Sequence, residues 1–227
     1  MSESFGNITM SQFYNRETLN IFCDASIIGK NQKYIGCYGA IAVIKDDIVD
    51  SIYRMVSETT NNNCEIKGIR AALTLANRYK YYFKYINIFS DSQISVFGLR
   101  DYIYNWKYNP KNGLLYGSTG SPIVNQEIFI ECHNMIIELE LYRDCIIRLF
   151  HQSGHVDNGF GAIKDAAASF KKFNNVHGTV GYDFIRYIST YNNYVDNMSR
   201  SILRRSDKTK KYVDPIIFQA QGKIYKE

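Results

Sequence analysis

Short apolar runs, each ended by polar residues, predict five β-strands along the chain. The runs occupy residues 19–23, 38–44, 48–56, 85–89 and 145–150. Only Lys45, Asp46 and Asp47 separate the second run from the third, and so short a polar connection is typical of a hairpin. The polar residues 26–33 predict a loop after the first strand.

Apolar residues at helical spacing predict the remaining elements. The predicted helical stretches are residues 64–79, 93–106 and 122–142, with Pro122 opening the third, and a last helix capped by Asn192 or Asn193. A short amphipathic helix is expected within residues 156–190, and residues 109–120 are expected to form a loop. This order of elements predicts an α/β fold in which helices pack on a mixed sheet.

The composition excludes several classes of protein. Hydrophobic residues make up 45% of the chain and charged residues 22%, as in ordinary globular domains. No apolar run approaches the ~20 residues that cross a bilayer, and the first residues lack the layout of a secretion signal. The five cysteines are scattered without metal-binding spacing, which predicts reduced thiols in a cytoplasmic protein.

The net charge of +5 and the pI of about 8.8 are compatible with a polyanionic partner but do not require one. We expect residues 1–18 to form a flexible arm, residues 19–205 to form one domain, and residues 206–227 to form a basic tail. We also expect a monomer without an obligate protein partner or a membrane association.

Asp91 is the first candidate functional residue, because it lies at the junction between a predicted buried strand and a predicted helix. Ser90, Asp91 and Ser92 are residue types that cap a helix, here one starting near Gln93. In open α/β sheets, the carboxyl ends of the strands border the crevice that binds ligands. A plain helix cap is the alternative interpretation.

Three further acids have comparable positions. Asp24 follows the first predicted strand, whereas Glu65 and Asp196 stand in the first turns of two predicted helices. If strands one and four are neighbours, Asp24 and Asp91 share one crevice, and the two helix N-termini would favour negative charge there. Four clustered carboxylates repel one another unless a cation joins them, and Mg²⁺ prefers oxygen ligands. Taken singly, Glu65 and Asp196 are more typical of first-turn helix acids than of metal ligands.

Several ordered motifs resemble those of type 1 ribonuclease H, over roughly residues 19–204. They are Thr-Thr-Asn-Asn-Asn-Cys-Glu at 59–65, Asp-Ser-Gln at 91–93, Asn-Trp-Lys at 105–107, Gly-His at 154–155 and Asn-Tyr-Val-Asp at 193–196. Any one of these motifs is a weak signal, but several in order at compatible spacing are a strong one.

The resemblance implies a ribonuclease H-like fold, with a five-stranded mixed sheet and helices on both faces. It also implies hydrolysis of the RNA strand of RNA–DNA hybrids by two Mg²⁺ ions, with Mn²⁺ as a substitute, giving 5′-phosphate and 3′-hydroxyl ends. Two such ions about 3.5–4 Å apart activate a water and stabilise the leaving oxygen of a phosphodiester. The implied metal ligands are Asp24, Glu65, Asp91 and Asp196.

The resemblance assigns roles to other residues as well. His155 would shuttle protons or assist product release, since the pKa of histidine lies near working pH. Substrate contacts are implied for Asn61, Asn62 and Gln93 with 2′-hydroxyls, for Thr60 and Asn125 with a DNA phosphate, and for Trp106 and Tyr102 along the DNA strand. For Trp106 a core position is a comparable interpretation.

The chain departs from the family pattern in four places. Ala25 replaces a usual Gly, Glu58 replaces a usual basic residue, and the lysine-rich handle before residue 122 is sparse. His155 and Asp196 are 41 positions apart, so residues 156–190 are mostly an insertion, expected to be partly helical. Lys164, Lys171 and Lys172 in this insertion either replace the missing handle against the duplex or form an ordinary solvated face.

Other functions remain open from the sequence. A different nuclease of the same fold, acting on DNA, would also use carboxylate-held metals. A non-catalytic hybrid-binding module is a second possibility, although a binder gains nothing from four acids facing phosphate. A domain cut from a reverse transcriptase is a third.

Overall fold

The computed structural model describes residues 17–30, 33–143, 145–154, 163–177 and 181–209. Most of the expected arm and basic tail, and the candidate His155, lie outside these residues.

A mixed five-stranded sheet forms the centre of the fold, which confirms the predicted class. Its strands are β1 (Thr18–Lys30), β2 (Lys33–Ile44), β3 (Asp47–Ser57), β4 (Tyr85–Ser90) and β7 (Ile146–His151), and a separate small hairpin contains β5 (Lys107–Asn109) and β6 (Leu114–Tyr116). The sheet order is β3-β2-β1-β4-β7. The pairs β1–β2 and β2–β3 are antiparallel, whereas β1–β4 and β4–β7 are parallel.

Helices cover both faces of this sheet. The first face carries α1 (Asn61–Tyr79), the short α2 (Gln93–Phe97) and α3 (Gln126–Arg143), and the second carries α4 (Ile163–His177) and α5 (Tyr182–Thr209). One π turn and one 3₁₀ turn continue α2 as far as Asn105. Among the described residues, no helix is both long and apolar enough to span a bilayer.

The two faces have different cores. Aliphatic side chains of β1 and β4 pack against α1 on the first face. Aromatic rings dominate the second, where Phe89 stacks on Phe22 at 4.9 Å and on Phe150 at 5.1 Å, with Phe184 of α5 beside it. Each of the five cysteines is buried and free of a disulfide.

A buried polar chain fixes α5 over the parallel strands. The Asn87 amide donates to Oδ1 of Asn20 at 2.9 Å, and the Asn20 amide donates to the Tyr187 hydroxyl at 3.1 Å. Asn20 and Asn87 are also register partners in β1 and β4. Because buried amides need partners, a shift of α5 or of this register would leave them unsatisfied.

Several element boundaries differ from the sequence predictions. The loop expected at residues 26–33 is instead the paired end of β1 and the start of β2, because Ile27 and Ile28 continue the strand. Residues 109–120, expected to be a loop, contain part of the hairpin. Pro122 does not open a helix, since it bridges to Tyr116 and α3 starts at Gln126.

The last helix differs most. It begins at Tyr182, so Asn192 and Asn193 lie in its interior rather than at its cap. The apolar spacing of Phe184, Ile185 and Ile188, all buried against the sheet, extends the helix ten residues upstream of the expected start. Tertiary burial therefore overrides the capping tendency of asparagine.

The predicted insertion contains a helix that is part of the core. Phe173 of α4 is 3% exposed and packs on Phe150 and Phe184. His177, at the end of α4, contacts the outer edge of β7, with Nε2 lying 3.0 Å from the His151 carbonyl oxygen. The same Nε2 lies 3.2 Å from the His151 backbone nitrogen, and Arg100 lies 3.4 Å from Nδ1 of His177. An otherwise open sheet edge is covered in this way.

Replacing His177 with Gln should make stability less sensitive to acid. Burial and the charge of Arg100 lower the pKa of His177 to about 4, so the unfolded chain binds the proton more readily between pH 6.5 and 4. Stability that is fully present above pH 6.5 is therefore lost as pH falls through this window. Urea denaturation measures the free energy of unfolding of both proteins at pH 6.5 and at pH 4.5. Between these pH values, we expect it to fall by about 2 kcal/mol less in His177→Gln than in wild type.

The lowered pKa of His151 and the raised pKa of Asp24 are present in both proteins. The difference between the two plots of unfolding free energy against pH therefore gives the contribution of His177 alone. Parallel profiles for the two proteins would contradict this account of α4.

Candidate active site

The parallel pairing of β1 and β4 places two acids side by side. The register pairs Phe22 with Phe89, and Asp24 and Asp91 follow each of these by two positions. The expectation that the first and fourth strands are neighbours in the sheet is thus confirmed. Asp24 does not follow its strand, however, because β1 continues beside β2 to Lys30 after β4 has ended at Ser90.

The other three candidate acids all act electrostatically on Asp24. Asp24 is 6% exposed, and burial raises its pKa well above the ordinary value. The charges of Asp91, Asp196 and Glu65 raise this pKa further, while the Ala25 amide opposes the shift. A carboxyl group that is influenced by three others lies in a strongly negative pocket.

Three of the acids also have their own hydrogen-bonding partners. The backbone N–H of Ala25 donates to Oδ1 of Asp24 at 2.6 Å. The Ser92 hydroxyl donates to Oε2 of Glu65 at 2.6 Å, and the Asn61 amide donates to Oε1 of the same residue. Asp196 forms an ion pair with Arg200, with Nε 2.8 Å from Oδ1.

Asp91 is fixed by the close approach of Gly154. A Cβ atom built on Gly154 would overlap the Asp91 carboxylate. A glycine at this position therefore lets the segment after β7 lie directly against the acid.

Within the described residues, no three His, Cys, Asp or Glu side chains are close enough to hold one metal ion in this arrangement. Mg²⁺ nevertheless needs only one or two carboxylates, because it keeps several waters and binds phosphate oxygens. The donor set consists of carboxylates whose mutual repulsion a cation would relieve. The residues present therefore fit a hard divalent ion.

Two acids occupy different places on their helices than the sequence predicts. Because α1 begins at Asn61, with Thr60 as its cap, Glu65 lies in the second turn. Asp196 lies in the middle of α5 and not in its first turn. The helix dipole acts only within the terminal turns, so it does not explain the position of Asp196.

The candidate substrate-binding amides have mixed environments. Asn61, Asn62 and Gln93 are exposed at the N-termini of α1 and α2, beside Glu65 and Ser92. Thr60 instead caps α1, and its hydroxyl accepts a hydrogen bond from the backbone N–H of Asn63. Their helix positions leave the first three accessible to a duplex.

The other implied contact residues are Asn125, Trp106 and Tyr102. Asn125, with φ of 60°, accepts a hydrogen bond from the Asn63 side chain at 2.9 Å, which joins the start of α3 to α1. Trp106 is half-buried and packs edge-on against Phe129, so its core interpretation is supported. Tyr102 is 53% exposed.

Two departures from the family pattern have a structural account. Ala25 lies in extended backbone within β1, so replacing glycine there requires no positive φ. On α4, Lys171 and Lys172 are exposed, and the charge of Lys172 contributes to lowering the pKa of His151. The side chain of Lys164 lies outside the described residues.

Sequence reasoning missed three residues that contact or adjoin the acids. Arg200 was detectable, because it follows Asp196 by four residues, the spacing of helical ion pairs. Ser92 was assigned only as a cap, and it does cap α2, but its hydroxyl also holds Glu65. Tyr53 gave no sequence signal, because its proximity to Asp24 depends on the register of three strands.

Comparison with known proteins identifies the chain's relatives. A family model described as RNase H matches residues 16–160, which include Asp24, Glu65 and Asp91 but not Asp196. A curated Ribonuclease H of Actinobacillus succinogenes is 30% identical over 121 residues, covering 53% of this chain and 71% of the relative. A Ribonuclease HI of Haemophilus influenzae is 30% identical over 112 residues, covering 49% of this chain and 66% of the relative.

Two solved structures are also similar. The RNase H1 of Halobacterium salinarum has a TM-score of 0.40 at 19% identity, covering 60% of this chain and 86% of its own. The RNase H domain of PFV has a TM-score of 0.48 at 15% identity, covering 72% of this chain and 96% of its own.

Gly154→Ala should disable the site without unfolding the protein. The new Cβ would push the Asp91 carboxylate aside, and a displacement of this size at reacting groups costs about 100-fold in turnover. Because a carboxylate can rotate away, we expect little change in Tm. Turnover and thermal melting measured on the same preparation check both points.

Gly181→Ala is the matched control, since a Cβ there meets nothing within 4 Å. It should keep wild-type turnover. Equal activity of the two variants would show that the contact between Gly154 and Asp91 has no functional role.

Proposed function

The chain belongs to the RNase H family and is a ribonuclease H enzyme, and we propose that it hydrolyses the RNA strand of RNA–DNA hybrids, leaving 5′-phosphate and 3′-hydroxyl ends. The observation that carries the proposal is that the charges of Asp91, Asp196 and Glu65 all raise the pKa of the buried Asp24. Asp24 lies in β1, Asp91 directly follows β4, and Glu65 and Asp196 lie in α1 and α5.

The residues that would hold two Mg²⁺ ions are Asp24, Glu65, Asp91 and Asp196. Such ions, when bound, lower the pKa of a water and stabilise the charge on the leaving oxygen. The chain's own contribution is to orient the carboxylates: Ala25 fixes Asp24, Ser92 fixes Glu65, and Gly154 allows the segment after β7 to approach Asp91. Arg200 offsets the charge of Asp196 in the absence of another cation.

This cluster disfavours a module that binds hybrids without cleaving them. Phosphate groups are repelled by carboxylates, so a pure binder would lose affinity by placing four acids at its surface crevice. An enzyme gains from the same acids, because they recruit the cations that act on the phosphodiester.

The exposed amides support RNA as the strand that is cleaved. Asn61, Asn62 and Gln93 can each donate to and accept from a 2′-hydroxyl, which is the group that distinguishes RNA from DNA. Their positions at the starts of α1 and α2 are adjacent to Glu65 and Ser92. A DNA-directed nuclease would have no use for this set.

We assign proton transfer to His155, as the family resemblance implies. Its chain neighbour Gly154 lies against Asp91, which supports this assignment. His151 is a poorer candidate, because it is buried and hydrogen-bonds the Asp91 backbone. Burial and the charges of Lys172 and Arg100 lower its pKa to about 4, as expected of a structural residue.

Cleavage of labelled duplexes tests the proposal. Wild type should cut an RNA–DNA hybrid with Mg²⁺ and should not cut it with EDTA, and it should leave duplex DNA intact. Asp91→Asn should lose at least about 100-fold in turnover, because it removes a charge from the reacting pocket. The products should carry 3′-hydroxyls that a DNA polymerase can extend.

Asp47→Asn serves as the control, since Asp47 is exposed at the opposite end of the sheet. The proposal fails if Asp91→Asn and Asp47→Asn cleave equally, if cleavage persists in EDTA, or if duplex DNA is the better substrate.

We also propose that the lysine face of α4 contacts the duplex and replaces the sparse lysine handle. Lys171 and Lys172 are exposed on α4, the helix that covers the end of β7. His151, at this end of β7, hydrogen-bonds the backbone of Asp91. Reversing both to Glu should weaken hybrid binding about tenfold at low salt and reduce the slope of log affinity against log salt by about 2. Binding titrations at several salt concentrations measure this.

The charge-matched control is Lys45→Glu with Lys84→Glu, both exposed at the far end of the sheet. If the two double variants bind equally, α4 is a surface decoration and not a handle.

A further inference from the structure

Tyr53 of β3 carries a hydroxyl for which the structure shows no use. The residue is 3% exposed, and its oxygen has no hydrogen-bond partner among the described residues. Folded proteins nearly always pair buried hydroxyls, and exceptions are concentrated at functional positions. A phenylalanine would fill the same space without leaving a polar atom unpaired.

The sheet places Tyr53 in line with Asp24. Asp24 pairs with Gly39 across β1 and β2, and Gly39 pairs with Tyr53 across β2 and β3. Directly paired residues present their side chains to the same face of a sheet. Tyr53 belongs to the cluster beneath α5, which is also the helix that carries Asp196.

Gly39 allows the tyrosine ring to lean toward β1. A Cβ atom built on Gly39 would overlap the Tyr53 ring, so this ring lies across the glycine. The backbones of Tyr53 and Asp24 are two strand spacings apart, or about 9.5 Å. Because the Tyr53 side chain lies across the intervening strand, it shortens this gap to within reach of the Asp24 side chain. Asp24 is also among the groups that raise the pKa of Tyr53, after burial, Tyr194 and Cys37.

We propose that Tyr53 is a positioning residue for Asp24: its hydroxyl donates a hydrogen bond to the Asp24 carboxylate when that carboxylate holds a divalent cation, and it thereby fixes the carboxylate's orientation. This inference rests on the proposed function. An ionised carboxylate is a better acceptor than the other nearby groups, the Tyr194 hydroxyl and the Cys37 thiol. Tyr194 is also 43% exposed, so its hydroxyl can pair with solvent.

Two hydroxyl deletions separate positioning from folding. Tyr53→Phe removes an unpaired hydroxyl, so Tm should stay the same or rise. The affinity for Mg²⁺ alone, measured by calorimetry, should fall about tenfold, as expected on loss of a group that orients a metal ligand. Tyr187→Phe removes a paired hydroxyl from the same face and leaves the Asn20 amide unsatisfied. It should lower Tm, and it thereby measures how much stability a structural hydroxyl on this face contributes.

The outcomes distinguish this inference from the proposed function. If wild type does not bind Mg²⁺, the proposed function itself fails. If wild type binds Mg²⁺ and Tyr53→Phe binds it equally well, only the role of Tyr53 is overturned. A loss of affinity that comes with a drop in Tm as large as that of Tyr187→Phe would also overturn it, since the hydroxyl would then serve folding.

Discussion

The repulsion among four buried or half-buried carboxylates is the constraint on which the candidate site depends. The parallel register of β1 and β4 fixes Asp24 beside Asp91, and the packing of α1 and α5 on opposite faces adds Glu65 and Asp196. Burial alone would raise the pKa of Asp24, and the neighbouring charges raise it further. Such an arrangement is unfavourable in itself, so the surrounding fold must stabilise it.

Several features of the fold supply that stabilisation. Asn20, Asn87 and Tyr187 form a buried polar chain that fixes β1, β4 and α5 relative to one another. The stacked rings of Phe22, Phe89 and Phe150 fill the space below the acids. The site is thus held by rigid strands and a long helix, which suits chemistry that requires accurate placement.

The sequence was most informative where the local pattern and the chemistry coincide. The run that ends at Asp91 predicted a buried strand followed by a helix, and both are present, with Ser92 capping the helix. The functional role of Asp91 stays a prediction. The sequence was least informative about α5, because Asn192 and Asn193 are typical of a cap but are tolerated inside a helix that is held by tertiary packing. Asp196 could be identified by motif, but its position in mid-helix could not. Tyr53 could not be identified at all, since its relation to Asp24 follows from cross-strand register.

We expect the four acids, distant in the sequence, to act as one cation-binding site. Titration of the isotope-labelled protein with Mn²⁺, followed by paramagnetic broadening of its backbone amide signals, tests this directly. Signals of Asp24, Glu65, Asp91 and Asp196 should broaden together at the lowest Mn²⁺ concentrations, while those of Lys45 and Lys84 at the far end of the sheet should stay sharp. Broadening that begins at only one of the four acids, or elsewhere in the chain, would contradict it.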